Sequence, residues 1–262
     1  MIMDLLTFYP EQFKAFILIF IRIAIILFLL PIFGSSMVYA RMKAGLALII
    51  TVVLFPVIKP DLELFPENLL SGVNLVLSEC IIGMIIGLII RMFFASIQLA
   101  GELIGFQMGF GIINVLDPQT GVQASIIAQF GYWVAMLVFL ILNGHHILLK
   151  GLKESFDIIN VGSIELSQGL FKTVVDSSSH MFLLAIKIGA PAIAALLFVS
   201  AAFGICAKFT PQMNILIVAF PIKIVVGLIF FGLSLEILLR ILKGYLGNFD
   251  TALVYIMNLM KA

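Results

Sequence analysis

The sequence predicts an all-α, hydrophobic integral membrane-type protein built from long kinked helices and helical hairpins. Of its 262 residues, 63% are hydrophobic and only 11% charged, and the mean hydropathy is +1.23. A soluble domain is nearer half apolar and a quarter charged, and one chain folding on itself cannot hide this much apolar surface from water. Several apolar runs reach the about 20 residues that a bilayer crossing needs. Small residues recur every four positions, the spacing that lets helices approach closely in a membrane.

The net charge is +1, so no basic field exists to attract nucleic acid. Cys80 and Cys206 both stand in apolar runs and read as small hydrophobes rather than a disulfide framework. Asp4 and Glu11 come where a signal peptide would carry its basic region, and Arg22 interrupts the first apolar run. That run is therefore expected to stay as a first span rather than be cleaved.

Taken in order, the first candidate span covers residues 15–33. A turn with Arg41 and Lys43 follows, then a short second span at 44–58 and the acidic loop 59–68. Basic residues favour the cytoplasmic side, which places the first turn there and the acidic loop opposite. The third candidate runs from 69 towards 99, too long for one upright crossing, and the fourth covers 125–142. Residues 143–180 are polar and are not expected to span. The fifth and sixth, 181–207 and 214–239, are separated by the turn KFTPQ. The last piece, FDTALVYIMNLMKA, sets Phe249, Leu253, Ile256, Met257 and Met260 on one helical face. It reads as a separate amphipathic helix at an interface or against a partner.

Charges lie where lipid would be. Arg22, Glu79, Arg91, Lys187, Lys223 and Glu236 fall within or at the margins of apolar segments. Each would cost about 2.5–3.5 kcal/mol at mid-bilayer, so such residues face a bundle interior, a water-filled cavity or a partner. Arg91 and Glu236, near segment ends, can instead snorkel. Glu79 and Arg91 cannot pair on one straight helix, since the rise between them is about 18 Å. Their partners must come from elsewhere in the fold or from another subunit. Pro191 and Pro221 stand inside the last two spans and predict kinks.

Gly83 and Gly87 form one GxxxG pair, and Gly101, Gly105 and Gly109 continue the period. Glu102 sits inside that stripe with no partner the sequence can name. There is no HExxH, GxSxG or P-loop motif. His145 and His146 are adjacent, so on a helix they point about 100° apart and cannot chelate one ion as an i, i+4 pair could.

Four stretches in order carry a family resemblance. They are ARMKAGLAL (40–48), GELIGFQMGFGIINVLDPQTGVQ (101–123), NGHHILL (143–149) and PQMNILIVAFPIKIVVG (211–227). Together they resemble the FliR family of flagellar export-gate proteins and its type III secretion counterparts. The resemblance implies a non-enzymatic, cofactor-free, multi-pass subunit of the bacterial inner membrane at the flagellar basal body. Its implied partners are FliP-like and FliQ-like subunits, an FlhB-like switch protein and unfolded export substrates. It also implies one structural unit, in which residues 1–180 are FliP-like and 181–262 form a FliQ-like hairpin plus the C-terminal helix. On that reading the charges inside spans, Glu102 included, contact neighbouring subunits rather than lipid.

The family places a pore-closing loop after the glycine stripe, here about residues 106–122. Its members would be Phe106, Gln107, Met108, Gly109, Phe110, Gly111, Ile112, Ile113, Asn114, Val115, Leu116, Asp117 and Pro118. The composition suits a seal. Large apolar side chains exclude water and gate by dewetting, methionine fills irregular gaps, and Asp117-Pro118 initiates a turn. Two other readings stay open at this point. One is a self-contained secondary transporter coupling ions through Glu79 and Lys187, although no second copy of the glycine-rich stretch supplies the internal repeat such proteins usually show. The other is a membrane enzyme built around the two histidines.

Overall fold

A computed structural model describes residues 10–31, 39–58, 69–110, 125–210, 212 and 214–261. The described residues form seven α-helices and no strand. They are α1 (Pro10–Leu29), α2 (Ala40–Leu54), α3 (Leu69–Met108), α4 (Ile126–Ile141), α5 (Gly144–Ile158), α6 (Gln168–Phe209) and α7 (Ile215–Leu259). The all-α class read from the sequence is the class observed.

Four helices, α1, α3, α6 and α7, are long and apolar enough to cross a membrane, and a fifth crossing is reached if α4 and α5 count as one. The expectation of six spans is corrected here. The second candidate folds as the 15-residue α2 and the fourth as the 16-residue α4. Asn143 ends the latter run by taking a left-handed conformation, φ 57°, which asparagine tolerates better than most residues. The third candidate is one unbroken helix of 40 residues, about 60 Å long and twice the hydrocarbon thickness.

The polar stretch 143–180 is helical over most of its length, as α5 and the first turns of α6. In α5 the buried residues are Gly144, Leu148, Gly151, Leu152, Ser155 and Phe156, a helical stripe, while Lys150, Lys153 and Asp157 face out. The last fourteen residues are not a separate helix, because α7 runs on through them to Leu259. Their apolar face is the expected one: Phe249, Leu253, Ile256, Met257 and Met260 are all buried. α6 and α7 pass through Pro191 and Pro221 without ending.

Contacts group the chain into two compact units, with divisions inside α3, α6 and α7. The first comprises Met1–Met92, Asn143–Ser177 and Leu246–Ala262. In it α1 and α2 run antiparallel, Phe16 meeting Phe55 at 5.7 Å edge to face and Lys43 lying over the Phe28 ring. The start of α6 is tied to the end of α7, since Ser167 Oγ donates to the Leu259 carbonyl and Glu165 N–H to that of Met260. The second unit comprises Phe93–Leu142 and Ser178–Tyr245. Its core holds Ile104, Met108, Ile127, Ala192, Leu196 and Phe231. An aromatic group joins it, in which Phe93 stacks on Tyr245 at 3.8 Å and Phe94 meets Phe139 edge to face.

Candidate functional site

The glycine-rich stretch begins as the last two turns of α3. Phe110 N–H donates to the Gly105 carbonyl at 3.1 Å and Gly109 N–H to the Phe106 carbonyl at 3.0 Å. Gly109 has φ 97°. This pairing, with a left-handed glycine directly after the helix, is the Schellman C-cap. Gly109 is therefore a cap, where any side chain would strain the backbone, and not a third member of the packing stripe. Phe106, Gln107 and Met108 complete the helix, so the non-helical segment starts at Gly109 rather than at Phe106. Gly111, Ile112, Ile113, Asn114, Val115, Leu116, Asp117 and Pro118 lie outside the described residues.

Side chains at this helix end divide sharply. Phe106 is 73% exposed and Met108 is fully buried. Phe110 packs on the core of the second unit and meets Phe220 edge to face, ring centroids 6.4 Å apart. Met108 presses on Gly227 of α7, where an added Cβ would stand 2.6–2.9 Å from its Cγ, Sδ and Cε. Gly227→Leu is thus expected to lower stability by about 1–3 kcal/mol through overpacking. Combined with Met108→Ala, it should return closer to wild type than either single change. Thermal unfolding of the four proteins in one detergent measures that coupling.

The two glycine pairs on α3 receive different helices. A Cβ on Gly83 would press on Ile25 and on the Arg22 carbonyl, and one on Gly87 would stand 2.7 Å from Leu29, both of α1. A Cβ on Gly101 would overlap the backbone of Ala128, and one on Gly105 would overlap Ser125 Oγ, at the start of α4. Absence of side chains is what lets each partner backbone come this close.

Of the charges singled out in the sequence, two meet. Arg22 of α1 and Glu79 of α3 are both 0% exposed. Arg22 Nε donates to Glu79 Oε2 at 2.5 Å and Nη2 to Oε1 at 2.8 Å, a bidentate pair. Nη1 donates to the carbonyls of Ser155 at 2.8 Å and Ile159 at 3.2 Å, and Nη2 also reaches the Asn160 carbonyl at 3.5 Å. All five guanidinium N–H groups therefore have acceptors. Glu79 Oε1 accepts in addition from Gly162 N–H at 2.6 Å. The guanidinium lies 4.3 Å from the Phe156 ring centroid. It sits at the C-terminal end of α5, where free carbonyls and the helix dipole favour a cation.

The others stand apart. Arg91 and Lys187 are exposed and Lys223 is half-buried. Glu236 pairs with Arg240 one turn on, both well exposed. Glu102 is exposed and accepts a 3.3 Å hydrogen bond from Gln98 Nε2. That i, i+4 partner was readable from spacing and was missed. The Arg22–Glu79 pairing was not readable, because 57 residues separate the partners. His145 and His146 lie with ring centroids 4.2 Å apart.

The pattern of the bacterial export proteins, family 1, matches residues 13–249. The chain belongs to this family. Proteins similar to it include the flagellar biosynthetic protein FliR of Bacillus subtilis (strain 168), 38% identical over 239 residues that cover 89% of this chain and 91% of that protein. FliR of Pectobacterium carotovorum subsp. carotovorum is 31% identical over 84% of this chain and 83% of its own length. FliR of Aquifex aeolicus (strain VF5) is 30% identical over 99% and 100%. The family match contains the Schellman-capped end of α3, both glycine pairs and the Arg22–Glu79 pair.

Proposed function

We propose that this chain is a subunit of the flagellar protein export gate. With FliP-like and FliQ-like subunits it forms the mouth of a channel for unfolded export substrates in the bacterial inner membrane, at the flagellar basal body, next to an FlhB-like switch protein. The observation that carries the reading is the likeness to FliR proteins over nearly the whole chain. The partition into a FliP-like part up to about residue 180 and a FliQ-like hairpin beyond it belongs to the same reading.

The side chains fit an assembly. Phe182, Ile186, Phe198 and Ile229 of α6 and α7 are exposed, so these helices offer apolar faces to lipid or to other helices. Lys187 is exposed among them, and an ammonium in apolar surroundings calls for a carboxylate that a neighbouring subunit can bring. The segment following Gly109 acts as the plug. Its root is fixed by the Schellman bonds and by Met108, while its apolar composition suits a seal that excludes water when idle and yields to any polypeptide.

Deleting residues 111–118 tests the plug while sparing Met108 and Phe110, which hold the fold. Cells carrying the assembled variant are expected to become permeable to small solutes that the wild type excludes. Unchanged permeability with assembly intact would overturn the plug. Purification tests the subunit reading: the chain should come out stably with two other small hydrophobic proteins. A monodisperse chain that binds a small substrate alone would favour a transporter.

A further inference from the structure

Within the second unit α3 and α6 meet where a Cβ on Gly189 would stand 3.7 Å from the Ala100 carbonyl oxygen. Ala100 and Gly189 are both buried there. Glu102 follows Ala100 by two residues, and Lys187 precedes Gly189 by two. Two residues turn an α-helix by about 200° and advance it by about 3 Å. Each charge therefore points away from the contact on its own helix while staying close to its level. Both residues are exposed accordingly. The second unit thus carries a carboxylate on one outer face and an ammonium on the opposite one, nearly level, and the two cannot meet within one chain.

The Glu102 carboxylate has no cation of its own. Among the described residues its partner is the Gln98 amide, which donates to Oε1 at 3.3 Å. The sequence holds no Lys or Arg between Arg91 and Lys150, so neither α4 nor residues 111–124 can supply one. Arg91 itself lies about 16 Å back along α3. The surroundings are apolar. Leu103 and Phe106 are exposed beside Glu102, and α4, which packs at Gly101 and Gly105, exposes Ile126, Phe130 and Trp133. Lipid is a poor occupant of this face, because a carboxylate turned to hydrocarbon is costly to hold. Water is no better, because large apolar side chains grouped on a surface mark a contact site. An apolar helix with one basic residue answers both needs. Its side chains cover the apolar frame, and its cation pairs with the carboxylate where little water weakens the attraction.

We infer that Glu102 is the docking point for a lysine or arginine on an apolar helix of a partner subunit, close to the level of the Ala100–Gly189 contact. This docking point presupposes the assembly proposed above; it adds which face the partner takes and what charge it carries. The Gln98 bond holds the carboxyl group in place for it. Lys187 sets the opposite requirement on the other face, an acid near the same level. The two sides of the chain are therefore told apart by sign, and charge complementarity of this kind selects partners and fixes their register.

The test uses the full chain with the subunits that accompany it. A photoreactive phenylalanine takes the place of Leu103, next to Glu102, and the cross-linked products are mapped. The expected product joins α3 to an apolar segment of a partner, with a Lys or Arg within one turn of the linked residue. Glu102→Gln is expected to weaken the assembly by roughly thirtyfold or more, as when one member of a desolvated charge pair at an interface is removed. Glu102→Arg should abolish assembly, and exchanging the mapped basic residue for glutamate should restore it. Because Glu102 is exposed, the unfolding temperature of each variant chain on its own in detergent should match wild type. A fall there would mean that the carboxylate serves the chain's own fold, and would overturn the proposal. A partner segment without a basic residue, or a charge exchange that restores nothing, would overturn it too. A chain that purifies with no partner would overturn the export-gate reading as well, whereas a lipid adduct alone from an intact assembly would overturn only the Glu102 docking point.

Discussion

Glu79→Ala is expected to destabilise the protein by about 3–5 kcal/mol, because it strands a fully buried guanidinium. Arg22 would keep its three carbonyl acceptors, but its charge would have no counterion within the core. Gly162 N–H would lose its acceptor as well, adding an unsatisfied donor in a left-handed turn, φ 81°. Replacing both partners, Arg22→Met with Glu79→Leu, removes the charges together, and buried pairs exchanged for apolar residues are often neutral. Here the Ser155 and Ile159 carbonyls at the end of α5 would lose a donor. The double variant should therefore fall between wild type and Glu79→Ala, and well short of the sum of the two single changes. Thermal unfolding in detergent measures all four proteins. A double variant as unstable as that sum would mean the two residues do not act as one unit.

Gly101→Ala and Gly232→Ala are expected to have opposite signs. Alanine favours a helix over glycine by about 0.8–1.0 kcal/mol. At Gly232 an added Cβ meets nothing within 4 Å, so that gain should appear in full. At Gly101 the Cβ would overlap the Cα and N of Ala128. Backbone atoms cannot step aside as a flexible side chain can, so α4 must move as a whole. Overpacking of this kind costs about 1–3 kcal/mol or more, enough to outweigh the propensity gain. Gly105→Ala should be milder, since the obstacle there is the Ser125 hydroxyl. The readout is again the unfolding temperature, and a stabilised Gly101→Ala protein would show that α3 and α4 do not touch as described.

Composition and periodicity made the all-α membrane class legible, and the starts of α3 and α7 and both ends of α4 follow from the apolar runs. What failed to show had physical causes. α5 was hidden because Lys150, Lys153, Glu154 and Asp157 lower its average hydropathy, although its apolar residues keep a helical period. The end of α7 looked like a separate helix because its hydropathy falls while its helical geometry does not. At the site, the spacing of Gly101 and Gly105 gave the close approach, but Gly109 kept the same period for a different reason, a left-handed cap. Among the charges, a local partner such as Gln98 for Glu102 was within reach of spacing rules. The Arg22 acceptors, up to 138 residues away, depend on three helices meeting and leave no trace in local pattern.

That span of sequence has a consequence for biosynthesis. Arg22 leaves the ribosome 57 residues ahead of Glu79 and 137 ahead of Ile159. At roughly 5–20 residues per second, the first helix carries its charge for about 3–11 s before the counterion exists, and about 7–27 s before its last carbonyl acceptors do. The nascent chain must keep that guanidinium hydrated or at the membrane surface throughout. The first helix therefore cannot take its final depth until about three-fifths of the protein has been made, and its delivery into the membrane is a different problem from its place in the finished fold.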